Sequence, residues 1–205
     1  MRPKNQAGRR SQLIDAAREV LLRRGAVGLR VKDVADRAGM APSSVLYYYP
    51  DMGGLLLEVA RSAMDRYTSE RADAVRAVEG APEKLRLAIS LGVPTGPGDE
   101  ESRLLYEIDA LTGTSPAFKV LSTAFFDRQV HLYESVVDMG ATAGELEPDA
   151  AAETIARGLV AMEDGLGLQV VIGHGGVDRE AAERILLAYA GRMTGVDLSA
   201  VPAER

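Results

Sequence analysis

The sequence predicts an all-α protein of about nine helices, and three observations predict it. Apolar residues recur at spacings of three and four positions along most of the chain, which is the period of a helix with one buried face. Alternating, strand-like runs are nearly absent. Ala, Leu, Arg and Glu, which favour helices, dominate the composition, and glycine or proline residues interrupt the pattern where helices would end.

The composition excludes several classes of protein. The chain has 205 residues, enough for one or two modest domains, and no cysteine, so disulfides and thiolate metal sites are excluded. Its two histidines, His131 and His174, are too few for a histidine-rich zinc site. No apolar run is long enough to span a membrane, and none follows the basic N-terminus as it would in a secretory signal. We therefore expect a cytoplasmic protein that binds no metal, cofactor or membrane.

Charge is distributed unevenly along the chain. Residues 1–50 contain 10 Lys and Arg against 4 Asp and Glu, whereas residues 51–205 contain 14 against 26. A basic front on an acidic body predicts that only the front meets a polyanion such as DNA. A solvated basic tail on an ordinary domain would give the same pattern, so charge alone leaves both interpretations open.

Three helices are predicted at the front of the chain. The first runs over about 8–24 and ends at Gly25, and the second begins near Val31 and stops at Gly39. Pro42 then suits the first position of a third, short helix, 42–48, which ends before Pro50. A long helix followed by two short ones across a tight glycine turn is typical of a tri-helical helix-turn-helix, which we assign to a domain of residues 1–50.

A second domain is predicted over residues 51–205. Its first helix, within 51–79, would link the two domains, and Gly80 and Pro82 end it. The connection 173–176, which contains His174, is rich in glycine and predicts a flexible link between two helices. The further helices of this domain are expected at about 82–92, 100–112, 116–139, 149–173 and 178–194.

The third helix is the natural one to enter the major groove of DNA. Its small hydroxyls, phenols and apolar side chains suit phosphates, base edges and thymine methyl groups, and they are Pro42, Ser43, Ser44, Leu46, Tyr47 and Tyr48. Flanking cations would add affinity without reading sequence, and they are Arg10, Arg30, Lys32 and Arg37. Arg30 and Arg37 could equally be ordinary solvated residues.

The three consecutive tyrosines cannot all face DNA. Successive helical positions point about 100° apart, so at least one of them belongs to the core. We assign that place to Tyr49 and expect Tyr47 and Tyr48 to face DNA. A core cluster of all three aromatic rings is the alternative.

The run VKDVADRAGMAPSSVLYYYPDMGGLLLEV resembles the DNA-binding segment of TetR-family regulators over about 50 residues. The resemblance implies base contacts from Pro42 and Ser43, a phosphate contact from Ser44, and backbone contacts from Tyr47 and Tyr48. Two positions depart from the family: Leu46 stands where a tyrosine is common, and Met52 stands where a lysine is common. Gly53, beside Met52, still offers a backbone N–H at a helix N-terminus, which can hold a phosphate.

The resemblance also implies a C-terminal domain that binds a small-molecule effector and forms a homodimer. Such a protein binds double-stranded operator DNA, usually as a repressor, and the effector releases it. Apolar positions of the last two helices predict a dimer interface shaped as a four-helix bundle, at Leu159, Leu166, Val170, Ile185 and Tyr189. The alternative is that these helices form the core of the monomer. Polar and aromatic residues on apolar helix faces predict the ligand pocket, at Tyr106, Asp109, Phe126, Gln129, Tyr133, Met162 and Glu163.

Two other functions are weighed against this one. A small helical enzyme is disfavoured, because the sequence contains no Ser/His/Asp set in a recognisable context and no phosphate-binding glycine loop. A DNA-binding dimer without a ligand, or one that answers to a protein partner, remains open. Glu163 and Asp164 lie in an apolar run and would be costly if buried, so at least one of them should be paired, exposed or functional.

Overall fold

The protein is described by a computed structural model that covers residues 4–26, 28–111, 113, 115–173 and 176–198. Within those residues it has nine α-helices and no β-strand, which confirms the predicted fold class. The helices are α1 Lys4–Arg24, α2 Val31–Ala38, α3 Pro42–Tyr48, α4 Met52–Ala77, α5 Ala81–Gly92, α6 Glu100–Asp109, α7 Pro116–Ala143, α8 Ala152–Ile172 and α9 Arg179–Thr194.

Helix bounds differ from the sequence-based ones by a few residues at several ends. Helix α1 begins at Lys4, earlier than predicted, and α7 continues to Ala143. The connector residues His174 and Gly175 lie outside the described part of the chain. None of the helices in the described ranges is both long and apolar enough to cross a membrane.

The chain divides into two compact units. The first contains Met1–Asp65 and Arg103–Ser122, and the second contains Arg66–Ser102 and Thr123–Arg205. The first unit therefore extends past residue 50 into α4 and includes a segment from the middle of the chain. The boundary predicted at residue 50 separates the proposed functions of the two domains and stays a prediction. It does not coincide with the division of the chain into two compact units.

The first unit is held by apolar residues from each of its N-terminal helices. Leu13 and Leu21 of α1, Val34 of α2, Val45 of α3 and Leu55 of α4 are fully buried. Polar contacts add to this packing between α1 and α2: the amide of Gln12 donates to the Ala38 carbonyl at 2.8 Å, and the guanidinium of Arg24 pairs with Asp33 at 2.6 Å. These contacts hold α2 in a defined direction on α1.

The turn between α2 and α3 depends on Gly39. Its φ of 64° lies in the left-handed region, and its N–H donates to the Asp36 carbonyl, while the Met40 N–H donates to Ala35 at 2.9 Å. The chain then extends at Ala41 before Pro42 begins α3. Because glycine reaches this conformation without strain, the turn sets the direction in which α3 leaves α2.

Replacing Gly39 by alanine should lower the free energy of unfolding by about 1–2 kcal/mol. Apart from the two chain neighbours, no atom of the described residues lies within 4 Å of the position that a Cβ would take, so the loss would come from backbone strain alone. Urea unfolding followed by circular dichroism measures it. Gly8→Ala is the control, since Gly8 lies in a helix with equally open surroundings, and it should raise stability slightly.

The second unit is built around a core shared by α5, α7, α8 and α9. Tyr133 of α7, Leu85 of α5 and Leu186 of α9 are fully buried there. Leu159 and Val170 of α8 belong to this same core and expose almost no surface. Their predicted place at a dimer interface is therefore wrong, because side chains that the chain itself buries cannot present a surface to a partner.

Candidate functional site

Helix α3 exposes one face and buries the other. Val45 is fully buried and anchors the helix, and Tyr49, directly after it, is buried too, as predicted. Tyr47 is 65% exposed, and Pro42, Ser43 and Leu46 are exposed beside it. Ser44 and Tyr48 are half-buried. The six side chains predicted to meet DNA therefore all reach the surface, and their contacts with DNA stay predictions.

A concave surface of about 490 Å³ lies along α3. It brings together Ser43, Ser44, Tyr47 and Tyr48 with Arg9 of α1, and the rings of Tyr47 and Tyr48 meet edge to face at 5.2 Å between centroids. Arg9 was missed by sequence reasoning, which selected its neighbour. The direction of each side chain depends on how α1 rotates against α2 and α3, and two adjacent arginines give no signal of that rotation.

Arg10 has a structural partner. Its guanidinium pairs with Glu58 of α4 at 3.2 Å and lies 4.8 Å from the centre of the Tyr49 ring. The Tyr49 hydroxyl donates to the same carboxylate at 3.3 Å. Burial, and then the charge of Glu58, raise the pKa of Tyr49 above its ordinary value, against the opposing effect of Arg10. These contacts connect α1, the end of α3 and α4, so Arg10 supports the position of α3 in addition to its predicted role at DNA.

The other flanking residues differ in their partners. Arg30 is exposed at the N-terminus of α2 and makes no side-chain capping bond, and Lys32 is exposed in the first turn. Arg37 pairs with Glu19 of α1 through two short hydrogen bonds. Hydrogen bonding to Arg37 lowers the pKa of Glu19 below its ordinary value. Arg30 and Lys32 thus stay as predicted phosphate contacts, whereas Arg37 is engaged within the protein.

The N-terminus of α4 is less open to phosphate than the sequence suggests. The carboxylate of Asp51 accepts a hydrogen bond from the Gly54 N–H at 2.8 Å and lies close to Gly53. It occupies one of the backbone donors that a phosphate would use and adds a negative charge there. The N–H of Gly54 is therefore already engaged by Asp51, whereas the contact from Gly53 stays a prediction.

A buried polar cluster lies in the second unit. Arg71 of α4 and Glu163 of α8 form an ion pair at 2.8 Å, and their side chains are only 3% and 4% exposed. The guanidinium also donates to the Ala88 carbonyl at 2.7 Å and to the Tyr133 hydroxyl at 2.7 Å. A charged pair without solvent needs such additional hydrogen bonds. Glu163 thus has the partner that its burial demands.

Two tyrosines complete the surroundings of the pair. The hydroxyl of Tyr133 donates to Glu163 at 2.7 Å, and that of Tyr67 donates to the same carboxylate at 3.3 Å. Burial raises the pKa of both phenols, with Arg71 opposing the shift and Glu163 adding to it. For Arg71, burial acts to lower the pKa, but Glu163 and the two tyrosines outweigh it and raise the pKa well above its ordinary value. The cluster is therefore a charged guanidinium facing a carboxylate and two neutral phenols.

The structure unites only part of the predicted ligand pocket. Gln129, Tyr133 and Glu163 meet in the cluster. Phe126 and Met162 pack against the apolar core of the same unit. Tyr106 and Asp109 belong to the first compact unit, where Asp109 accepts a hydrogen bond from Ser122 at 3.2 Å. His131 is exposed and lies 3.6 Å from the Glu134 carboxylate.

Sequence reasoning missed Arg71 and Tyr67. A signal was present in α4, where a stripe of buried or half-buried residues at intervals of four includes Leu55, Val59, Ala63, Tyr67, Arg71 and Val75. A single arginine within an apolar stripe predicts a buried charge with a distant partner. The partner on α8 could not be named, because the pairing joins residues 92 positions apart.

A shallow cavity of about 260 Å³ borders the cluster and is lined by Tyr67, Arg71 and Asp99, among others. Asp99 accepts hydrogen bonds from the Thr95 N–H and hydroxyl, both at 2.9 Å, and from the Ser102 N–H at 2.9 Å. Burial acts to raise the pKa of Asp99, but the hydrogen bonds from Ser102 and Thr95 outweigh it and hold the pKa below its ordinary value.

The stability that Asp99 contributes should therefore depend on pH. A carboxyl with a lowered folded-state pKa stabilises the fold above its unfolded pKa of about 3.9, and loses this effect as pH falls through the folded value. The Tm of the wild type should exceed that of Asp99→Asn by a constant amount from about pH 5 to 7, and the difference should shrink towards about pH 3. A difference that does not change with pH would contradict this.

A tri-helical motif whose short third helix is exposed is typical of helix-turn-helix DNA-binding proteins. The family model described as "Bacterial regulatory proteins, tetR family" matches residues 13–59. The model described as "BetI-type transcriptional repressor, C-terminal" matches residues 81–195, more than half of the chain. The chain therefore belongs to the TetR family and is a transcriptional regulator rather than an enzyme.

Relatives and solved structures agree with this assignment. The HTH-type transcriptional regulator BetI of Paraburkholderia phytofirmans is 27% identical over 193 residues, which cover 88% of this chain and 91% of the relative. A transcriptional regulator from Saccharomonospora viridis, solved in complex with choline, superposes with a TM-score of 0.84 at 22% identity, covering 92% and 98% of the two chains. The regulator FadR of Bacillus subtilis, solved with stearoyl-CoA, has a TM-score of 0.73 at 19% identity, covering 88% and 96%. At these identities the two structures show a shared fold.

Proposed function

We propose that the protein is a homodimeric repressor that binds a palindromic operator through α3 and leaves it when a small molecule binds the second unit. The observation that carries the DNA-binding part is the exposed face of α3, which is fixed from behind by Val45 and Tyr49 and bordered by Arg9. A rigidly held short helix with hydroxyl and phenol groups on its outer face suits base edges and phosphates. Operator DNA as the target places the protein in the cytoplasm.

The dimer is supported by an apolar surface on α8 and α9. Leu168 and Ile172 of α8 and Ile185 of α9 are exposed, and Ile172 is 59% exposed. Leu166 and Tyr189 are half-buried in the single chain, so both can still gain burial in a dimer. Pairing this surface with its own copy would form a four-helix bundle with an isologous interface. The interface we propose is thus centred on these five residues.

The effector is supported by the buried polar cluster and by relatives that bind ligands. One protein of this fold was solved with choline and another with stearoyl-CoA, so the fold accommodates ligands of different chemistry. Helix α4 is continuous from Met52 to Ala77 and contributes residues to both compact units. An effector that binds better to one arrangement of α4 would shift the population away from the DNA-binding state.

Hydroxyl-radical footprinting on DNA from the region upstream of its own gene tests the DNA-binding part. A dimer with two copies of α3 in successive major grooves should protect two patches about 34 Å apart on one face of the duplex. Leu168→Asp should weaken dimerisation and remove both patches together, while Met139→Asp, which places the same charge at an exposed apolar position of α7, should leave them. A single patch that survives Leu168→Asp would contradict the dimeric mode.

A further inference from the structure

The guanidinium of Arg71 lies in surroundings that would suit a free organic cation. Its central carbon is 5.1 Å from the centre of the Tyr133 ring and 5.7 Å from that of Tyr67. Glu163 supplies the opposite charge, with carboxylate oxygens 2.8 and 2.9 Å from the two terminal nitrogens. Aromatic faces combined with a desolvated carboxylate are the elements by which proteins recognise ammonium and guanidinium groups. We call Tyr67, Tyr133 and Glu163, together with the Ala88 carbonyl, the cation cage.

The cage is built for close approach. Gly92 of α5 faces it, and a Cβ at that position would overlap both the Glu163 carboxylate and the Arg71 guanidinium. Any residue larger than glycine at position 92 would therefore collide with the ion pair. All three guanidinium nitrogens of Arg71 donate hydrogen bonds, and their acceptors are the Ala88 carbonyl, the Tyr67 hydroxyl and the Glu163 carboxylate. The side chain thus provides a donor to each of these groups of the cage.

A second observation points to a ligand rather than to a purely structural ion pair. The side chain of Gln129 is buried in the same cluster, where its Oε1 accepts a long hydrogen bond of 3.5 Å from Arg71. Its Nε2 is buried and has no hydrogen-bond partner among the residues that the structure describes. A buried donor without an acceptor is costly, and such groups in native proteins call for a reason. An oxygen atom of a bound molecule would supply the missing acceptor.

We propose that Arg71 is a resident cation that closes the cage to organic cations, so that the effector is instead an uncharged molecule whose carbonyl or hydroxyl oxygen binds Gln129. A second cation in the cage would face the charge of Arg71 at close range. An anionic ligand would face the carboxylate of Glu163. Because Arg71 and Glu163 balance each other, a neutral acceptor is the group that adds no unpaired charge to a buried site. Arg71 is then the residue that determines specificity. The assignment of an uncharged ligand rests on the proposed function, in which a small-molecule effector binds the second unit. The inference that Arg71 closes the cage to other cations is independent of that function.

Removing the resident cation tests the cage directly. Arg71→Ala deletes the atoms of an ethylguanidinium ion, so ethylguanidinium chloride should bind the variant in the millimolar range. We expect it to raise the Tm of the variant by about 4 °C or more relative to sodium chloride at equal ionic strength. Ethylurea, which has the same shape without the charge, should have no such effect. The wild type should show no stabilisation by the cation, and the double variant Arg71→Ala/Glu163→Gln should lose it.

Each other outcome overturns the closed cage. Equal stabilisation of the wild type by ethylguanidinium would show that the cage is open to cations despite Arg71. A folded Arg71→Ala variant that does not distinguish ethylguanidinium from ethylurea would show that the cage does not recognise charge. A variant that stays unfolded at saturating ethylguanidinium would show that the free ion cannot replace the side chain. No DNA is present in these measurements, so their failure is independent of the operator-binding proposal.

The unpartnered amide is tested by Gln129→Met. Removing an unsatisfied buried donor while keeping the volume should raise the Tm of the ligand-free protein by about 2–4 °C. Gln169→Met is the matched control on α8, because the Gln169 amide is satisfied by the Gly165 carbonyl at 3.2 Å, and it should give no increase. A lower Tm for Gln129→Met would show that the amide is satisfied in the free protein and would overturn the assignment of an oxygen ligand.

Discussion

Replacing Glu163 by alanine should lower the free energy of unfolding by about 3–5 kcal/mol. The substitution leaves the guanidinium of Arg71 buried without its carboxylate, and two tyrosine hydroxyls lose their acceptor. The Ala88 carbonyl and Tyr133 can still accept from Arg71, but neither carries a compensating charge. Urea unfolding, followed by circular dichroism, measures the loss, and the midpoint should fall without a large change in slope.

Glu153→Ala is the matched control for this variant. Glu153 lies on the same helix and also pairs with an arginine, Arg157, at 2.9 Å, but its side chain is 58% exposed. An exposed pair of this kind contributes about 0–1 kcal/mol. Losses of similar size in the two variants would contradict the view that Glu163 compensates a desolvated charge.

Ser43→Glu should lower the affinity for operator DNA on the order of 100-fold, because it places a carboxylate among phosphates, where like charges repel at a cost of several kcal/mol. Ser43 is exposed in the first turn of α3 and lines the concave surface beside Arg9. A negative charge near a helix N-terminus does not destabilise the helix, so the fold should be retained. Fluorescence anisotropy with a labelled duplex from the upstream region measures the affinity.

Ser135→Glu provides the control for charge. Ser135 is exposed on α7, in the second compact unit, and the substitution changes the net charge by the same amount. Its DNA affinity should stay within about threefold of the wild type, because long-range effects of exposed charges are screened at physiological salt. Equal losses in both variants would indicate a general electrostatic effect and would contradict a specific role for α3.

The helix-turn-helix could be predicted closely because local signals fix it. Gly39 requires a left-handed backbone, Pro42 starts α3, and Pro50 ends the helical run, so each boundary is set by one or two residues. Helical geometry required at least one of the three tyrosines to be buried, and the assignment of that place to Tyr49 is confirmed. Local signals could not predict how α1 is rotated about its own axis against α2 and α3. For that reason Arg10 was selected at the DNA surface and Arg9 was missed.

The second unit was less predictable because its site depends on distant pairings. Helix α8 is apolar on more than one side, and the pattern cannot tell which side faces the core and which a partner. Leu159 and Val170 were therefore placed at an interface, although the chain buries them itself. Glu163 or Asp164 was expected to be paired, exposed or functional, but the pairing of Glu163 with Arg71 arises only when α4 and α8 pack. A charged residue in an apolar stretch of sequence indicates a buried polar cluster, but only tertiary packing determines which other residues belong to that cluster.

The ratio of specific to non-specific DNA affinity is the most direct test of the central claim, that this TetR-family chain reads operator sequence through α3. Anisotropy titrations at physiological salt would compare a duplex from the upstream region of its own gene with a scrambled duplex of the same length and composition. We expect the upstream duplex to bind at least about 1,000-fold more tightly. The affinity for the scrambled duplex should depend on salt through phosphate contacts alone. Equal affinities for the two duplexes at every salt concentration would contradict the claim.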